Sequence, residues 1–170
     1  MDKQIITTLL IMAAVITFAM AFNAVYPAVM RSSDALVSAG RLSSEQLKTE
    51  IQIIHAAGEL DATGLWRDTN SDGDMDVFIW AKNTGSMTVS APASCDLFLG
   101  PEGAWARIPH QEHAEGRYPY WTYALEGTTR WEPTGTITIT VHYPEAIASG
   151  RYYAKLVTAN GRAAEFLFGM

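Results

Sequence analysis

The chain has 170 residues, of which 48% are hydrophobic, and carries a formal net charge of -6, so it is long enough for one domain of ordinary size with an appendage. An acidic chain lacks the clustered Lys and Arg that displace phosphate counterions, which argues against nucleic-acid binding. The one cysteine, Cys95, excludes a disulfide within a single chain.

The first thirty residues predict a hydrophobic helix. No charged residue occurs from Ile5 to Val29. As a helix this stretch would be roughly 37 Å long, which exceeds a hydrocarbon core of ~30 Å and is too long for the ~7–15 apolar residues of a signal peptide. Lys3 precedes the segment and an acidic region follows it, which favours a cytoplasmic N-terminus and an external C-terminal domain. We therefore expect segment 1–30 to be a membrane anchor or the core of a filament.

A stripe of small residues runs along this helix at a spacing of three and four. In lipid, small side chains let helices approach closely, so the stripe predicts helix–helix association. The alternative is that alanine is simply common in membrane spans. The stripe consists of Ala14, Thr17, Ala21, Ala24 and Ala28.

Residues 31–49 predict a helical stalk. Ser43 or Ser44 is a suitable N-cap, with Glu45 and Gln46 in the first turn, and this indicates a fresh helix start. The following stretch, residues 50–57, is rich in β-branched side chains and is interpreted as a first strand.

Residues 50–170 predict an all-β domain. After the first strand, period-two alternation indicates seven more at 76–83, 94–100, 104–109, 119–126, 135–143, 151–160 and 162–169. Asn160-Gly161 predicts a two-residue hairpin turn. The fold class is therefore mainly β with one long N-terminal α-helix, and the external domain is an immunoglobulin-like antiparallel β-sandwich.

An acidic loop, defined here as residues 68–76, precedes the strand at 76–83. Its pattern D-x-N-x-D-G-x-x-D supplies the oxygen ligands that Ca²⁺ prefers, with a glycine for the sharp turn. It departs from an EF-hand, because Ile79 stands where the bidentate Glu would be. A solvated polar turn is the alternative. We expect a structural Ca²⁺ site formed by Asp68, Asn70, Asp72, Asp74 and Asp76.

Three other features are weaker candidates for a functional site. His110, Glu112, His113 and Glu115 could suit Zn²⁺, but their spacing favours a solvated loop. Cys95 is interpreted as a small buried hydrophobe, and the aromatic run at 117–123 fits a binding surface or a core strand equally well. No phosphate-binding glycine loop or nucleophile elbow occurs, so we expect neither an enzyme nor a small-molecule substrate.

The order of helix, stalk and β-domain resembles the archaellum accessory proteins of the FlaF/FlaG type. The motif "WAKNTGS" stands where that family has a strand ending in a "VKNTGS"-like turn, with Asn83, Thr84 and Gly85 forming the turn. The stretch "SGRYYAKLVTANGRA" (149–163) resembles the family's closing hairpin. The stalk and the stripe of small residues favour the FlaG-like member.

The resemblance implies a stator or short filament in the cell envelope, with self-association and with contact to a sibling archaellum protein or the surface-layer protein. The main alternative is an archaellin or pilin-like subunit whose N-terminal helices bundle into an extracellular filament. Such subunits are processed at a leader that ends in glycine, whereas only Met1-Asp2-Lys3-Gln4 precedes the apolar run here. A third interpretation is an unrelated single-span surface protein that presents a β-domain to ligands.

Overall fold

A computed structural model describes residues 2–170 and divides the chain into two compact units, 1–43 and 44–170. The first unit lies within one helix, α1 (Asp2–Lys48), which has no buried residue. With 47 residues, α1 is roughly 70 Å long. By length and composition alone it could cross a membrane. The hydrophobic segment and the predicted stalk therefore belong to a single helix.

The predicted helix start at Ser43 or Ser44 is wrong. The helix passes through Pro27, Gly40 and both serines and ends at Lys48. One interior glycine costs only about 1 kcal/mol relative to alanine, and good helix formers flank it on both sides, so the local cap signal does not interrupt the helix. The second unit begins at residue 44, so the last turn of α1 belongs with the β-domain.

All eight predicted strands are confirmed, although the fourth is short. Residues 92–94 and 111–113 form two short 3₁₀ helices between strands. The strands are β1 (Ile51–Gly58), β2 (Met75–Asn83), β3 (Asp96–Pro101), β4 (Ala106–Ile108), β5 (Tyr120–Leu125), β6 (Thr136–Tyr143), β7 (Arg151–Val157) and β8 (Ala163–Gly169).

These strands form two four-stranded antiparallel sheets, with the orders β1-β2-β6-β5 and β4-β3-β7-β8. Val77 and Ile79 of the first sheet and Leu97 and Leu99 of the second belong to one buried core. Burying each such side chain stabilises the fold by roughly 1.5–3 kcal/mol. The predicted immunoglobulin-like antiparallel β-sandwich is confirmed.

Strand β6 illustrates why period-two patterns identified the strands. Ile137, Ile139 and Val141 are buried, whereas the threonines between them are only partly buried on the other face. The side chains of a strand point alternately to its two faces, so the apolar set covers the core and the polar set faces away from it.

The connection between β7 and β8 differs from the predicted two-residue turn. Of Asn160 and Gly161, only the glycine has a positive φ, at 84°. The amide of Gly161 donates to the carbonyl of Thr158 (2.8 Å), and the amide of Thr158 donates to the carbonyl of Arg162 (2.8 Å). This is a three-residue loop in which a tight turn is followed by a left-handed glycine. The longer loop leaves the Asn160 side chain free for contacts described below.

Candidate functional site

The acidic loop lies against the face of the β1-β2-β6-β5 sheet that points away from the core. Val77 faces the core, so the preceding Asp76 lies on the opposite face of β2. In the sheet register Asp76 is paired with His142 of β6, which is paired in turn with Tyr120 of β5. Asp76 has 0% of its surface exposed, although it is on the outer side of the sheet. The acidic loop and its neighbours therefore cover this carboxylate.

Asp68 organises the backbone of the loop. One of its carboxylate oxygens accepts from the amide of Ser71 at 2.5 Å, and the other accepts from the amide of Gly73 at 2.9 Å. Ser71 and Gly73 have positive φ angles of 62° and 90°. The two amides occupy the oxygens of Asp68, so its carboxylate acts as a loop cap in this structure.

Asn70 links the loop to the sheet. Its Oδ1 accepts from the amide of Asp72 at 3.0 Å. Its Nδ2 donates to Asp72 Oδ2 and to Asp76 Oδ2, both at 3.0 Å. Asp72 Oδ1 accepts in turn from the amide of Asp74 at 2.9 Å. These bonds hold the carboxylates of Asp72 and Asp76 on either side of one amide group.

His142 completes this cluster. Its Nδ1 lies 2.8 Å from Asp76 Oδ1, and its Nε2 lies 3.0 Å from the hydroxyl oxygen of Thr122. Its ring stacks on Tyr120 with the centroids 4.8 Å apart. One carboxylate oxygen each of Asp72 and Asp76 and one ring nitrogen of His142 lie within 4.8 Å of one another. These three residues bring donor atoms together in a way that could hold a metal ion.

Burial dominates the electrostatics of Asp76. It raises the pKa of the Asp76 carboxyl to about 6, while His142 opposes the rise and the carboxylates of Asp72 and Glu59 add to it. Glu59 is itself buried and accepts from the amide of Thr69 at 2.6 Å. A buried carboxylate beside two others favours a cation at this position.

The structure therefore brings only part of the predicted calcium set together. Asn70, Asp72 and Asp76 meet, whereas Asp68 caps the loop. Asp74 accepts from the hydroxyl of Tyr118 at 2.8 Å and lies 3.7 Å from His142 Nδ1. The five-residue Ca²⁺ site stays a prediction. Sequence reasoning missed His142 and Glu59, because both reach the loop only through pairing of distant segments. His142 pairs with Asp76 in the sheet, and the amide of Glu59 donates to the carbonyl of Asp76 at 2.8 Å.

A second feature of the structure is the junction between the end of α1 and the sandwich, near the turn that follows Asn83. The Asn83 side chain is fully buried. Its Nδ2 donates to the carbonyls of Met87 (2.8 Å) and Trp131 (3.1 Å), and its Oδ1 accepts from the amide of Gly85 (3.0 Å). Both donors and the oxygen of this amide are thus used to fix the turn at 83–85 that the resemblance predicted.

Gly85 brings the turn against the end of the helix. Its amide donates to the carbonyl of Glu50 at 2.9 Å, and the next amide, of Ser86, donates to the carbonyl of Lys48 at 2.9 Å. A Cβ at Gly85 would lie 2.5 Å from both the amide nitrogen of Glu50 and the carbonyl oxygen of Lys48. Only glycine fits this close approach of two backbones.

The hairpin tip between β7 and β8 holds the same helix end from another side. Gln46 Nε2 donates to the carbonyl of Asn160 at 2.7 Å, and Asn160 Nδ2 donates to the hydroxyl of Thr49 at 2.7 Å. The residues around Lys48 are therefore fixed to the sandwich by two separate turns.

The histidine cluster at 110–113 and Cys95 are the weaker candidates for a site. His110 is buried with its ring edge on Trp121 at 4.6 Å, and burial lowers its pKa. His110, Glu112 and His113 also bring three donor atoms together, although Glu112 and His113 are exposed. Cys95 is buried, and burial raises its pKa to about 11, which fits the predicted small hydrophobe.

The aromatic run at 117–123 divides between two environments. Trp121 is in the core, whereas Tyr118 is exposed beside the acidic loop and bonds to Asp74. The run therefore serves partly as core and partly as the edge of the candidate site.

Comparison with known proteins gives similarity at the level of structure. No family model and no curated protein matches the chain. The archaellum periplasmic stator protein FlaG from Sulfolobus acidocaldarius is similar with a TM-score of 0.54 and 21% identity, over 71% of this chain and 99% of that one. The chain shares the fold of a stator protein. A second structure, the complex of the stator proteins FlaF and FlaG from the same organism, is similar with a TM-score of 0.53 and 21% identity, over 71% of this chain and 89% of that one.

The FlaG-like resemblance stated from the sequence is thus confirmed for the fold. Both structures named are of archaellum stator proteins. At 21% identity the similarity concerns architecture, so the residues of the acidic loop are interpreted from this chain alone.

Proposed function

We propose that this chain is a FlaG-like structural component of the archaellum machinery, fixed in the membrane by α1 with its β-sandwich outside. The observation that carries the proposal is the fold shared with the archaellum stator protein FlaG. The role is mechanical: the sandwich resists load and transmits it to the envelope, and no chemistry on a substrate is required.

The exposed apolar surface of α1 supports the membrane part of the proposal. Phe18 and Leu10 are 72% and 67% exposed, and the rest of segment 5–30 presents large apolar side chains in the same way. Nothing in the described chain covers them, so lipid or other helices must supply that cover. Lys3 before the span and the acidic sandwich after it support an external C-terminal domain.

A sibling archaellum protein is the proposed partner of the sandwich. Its support is that one of the similar structures is a complex of two stator proteins, FlaF with FlaG. The surface layer is the second proposed partner, and the sandwich would transmit mechanical load to it by direct contact.

Self-association is proposed to run through the stripe of small residues that was predicted in α1. We expect Ala21→Leu to weaken oligomers of the full chain in detergent, because a larger side chain separates the helix backbones. Ala19→Leu is the matched control, since residue 19 lies on the opposite side of the helix from residue 21. Cross-linking that is equal in the two variants would count against this interface.

The deciding experiment is deletion of the gene in the organism that encodes it. We expect cells that still assemble archaellum filaments but swim poorly, and recovery when the full chain is restored. Restoring residues 1–48 alone should not recover swimming, because the sandwich is missing. Complete loss of filaments, with this chain found along filaments in wild-type cells, would instead support the filament subunit. Normal swimming would reject the proposal.

A further inference from the structure

We propose that Asp72, Asp76 and His142 form a binding site for a divalent transition-metal ion, for which Zn²⁺ is the probe, and that the ion fastens the acidic loop to the outer face of the sheet. The site goes beyond the proposed mechanical role and does not depend on it. Asp72 lies in the middle of the acidic loop. Asp76, the last residue of the loop, and His142 lie in paired strands, so an ion bound by all three would connect the loop to the sheet.

The first observation is a buried carboxylate oxygen for which the described chain supplies no hydrogen bond. Asp76 has 0% of its surface exposed, and its Oδ1 has no hydrogen-bond partner within the part of the chain that the structure describes. The facing Nδ1 of His142 is also buried without one. The two atoms lie 2.8 Å apart, which is within ion-pair distance, but they do not meet in hydrogen-bond geometry. Two such atoms facing each other are the arrangement that a shared cation stabilises.

The second observation is the convergence of a third donor. A carboxylate oxygen of Asp72 lies within 4.8 Å of the donor atoms of Asp76 and His142. In a tetrahedral site with ligands at ~2.0–2.2 Å, donor atoms are about 3.4 Å apart. The three atoms therefore need shifts of no more than about 1.5 Å to surround one ion. Asp74 Oδ2, which is 3.7 Å from His142 Nδ1, or a water can occupy the fourth position.

The third observation is that surrounding groups already orient the ligands. His142 Nε2 lies 3.0 Å from the Thr122 hydroxyl, which leaves Nδ1 directed at the site. Asn70 Nδ2 donates to the second oxygen of Asp76, and the amide of Asp74 donates to Asp72 Oδ1. Partners of this kind fix the orientation of metal ligands.

The ligand types distinguish this site from the predicted calcium site. Imidazole nitrogen with carboxylate oxygen suits Zn²⁺ and its neighbours, whereas Ca²⁺ takes oxygen ligands only. The calcium set also requires Asp68, both of whose oxygens accept backbone amides in this structure. His142 is therefore the residue whose substitution separates the two sites.

The test is calorimetric titration of the full chain in detergent micelles after removal of metal with a chelator. With Zn²⁺ we expect saturable binding and a higher Tm in the wild type, because the ion binds the folded state. Asp76→Asn and His142→Gln should each weaken binding by at least about tenfold, since each removes a ligand. His113→Gln is the control, because it disrupts the other His-Glu cluster and should leave this binding unchanged.

A second readout keeps the test independent of folding. Co²⁺ in place of Zn²⁺ should give the visible absorption of a nitrogen and oxygen site in the wild type, and this absorption should change in His142→Gln while near-UV circular dichroism stays native. Absence of Zn²⁺ binding overturns the proposal. So does Zn²⁺ binding that His142→Gln leaves unchanged, or stabilisation by Ca²⁺ alone that does not depend on His142. None of these results bears on swimming, so the proposed function stands or falls separately.

Discussion

The apolar residues of this chain are exposed in one of its two units and buried in the other. In α1, Ile16 is 55% exposed and Phe18 is 72% exposed, whereas in the sandwich Val77 and Ile79 are 0% exposed. Sandwich side chains are covered by the chain itself, and removing each from water contributes roughly 1.5–3 kcal/mol. Those of α1 find no such cover among the described residues. Hydrophobicity therefore stabilises the sandwich internally, while in the helix it determines the environment that the protein requires.

The largest expected effect concerns that requirement. We expect residues 44–170 to fold and stay monodisperse without detergent, because the core lies entirely in that unit. The full chain should need detergent or lipid, because α1 exposes its apolar surface. Circular dichroism and sedimentation of both proteins provide the measurement. If the full chain stays monomeric without detergent, the apolar surface of α1 does not need lipid or another helix to cover it. The contrast drawn here between the two units would then be wrong.

The next effect tests whether one buried polar residue holds the sandwich to the helix end. Asn83→Ala should lower the free energy of unfolding by roughly 3 kcal/mol, since it removes three hydrogen bonds of a buried side chain at about 0.5–1.5 kcal/mol each. Urea unfolding followed by tryptophan fluorescence measures it, because all tryptophans lie beyond residue 60. Thr84→Ala, at an exposed neighbour, is the control and should change little. Equal stabilities would refute the role of Asn83.

A smaller effect should follow from moving the truncation point. A fragment that starts at residue 50 loses three hydrogen bonds: the one from Gln46 to Asn160, the one from Asn160 to Thr49 and the one from Ser86 to Lys48. At roughly 0.5–1.5 kcal/mol per hydrogen bond, it should be about 2 kcal/mol less stable than the fragment that starts at residue 44. The measurement is urea unfolding of the two fragments side by side. If they unfold at the same urea concentration, the last turn of α1 is not part of the domain.

The contacts at the end of α1 could not be predicted from the sequence, whereas the strands could. The strands were predictable because each one is half-buried, so its pattern is local, as in β6. The acidic loop was recognisable because its carboxylates are neighbours in sequence. His142 was not, since it meets Asp76 only through the pairing of β2 with β6. The acceptors of Asn83 are backbone carbonyls, which leave no signature in a sequence.

The helix error has a related cause. Ser43 and Ser44 carry the local signal of an N-cap, but a cap is worth only about 1 kcal/mol. An uninterrupted helix keeps its backbone hydrogen bonds through this region, so the local preference for a fresh start is overruled. Local patterns thus predicted which elements form, and long-range pairing decided how they meet.

The smallest expected effect is the most direct test of the comparison, because one substitution is made in both units. Ile139→Val removes a methylene group from a fully buried side chain of the core and should lower the free energy of unfolding of the sandwich by about 0.5–1.5 kcal/mol. Ile16→Val removes the same group from an exposed residue of α1 and should leave that free energy unchanged. Tryptophan fluorescence of the full chain in detergent reports the unfolding of the sandwich in both variants. Equal destabilisation by the two substitutions would mean that the helix and the sandwich unfold as one cooperative unit, and the separate uses of hydrophobicity inferred here would be wrong.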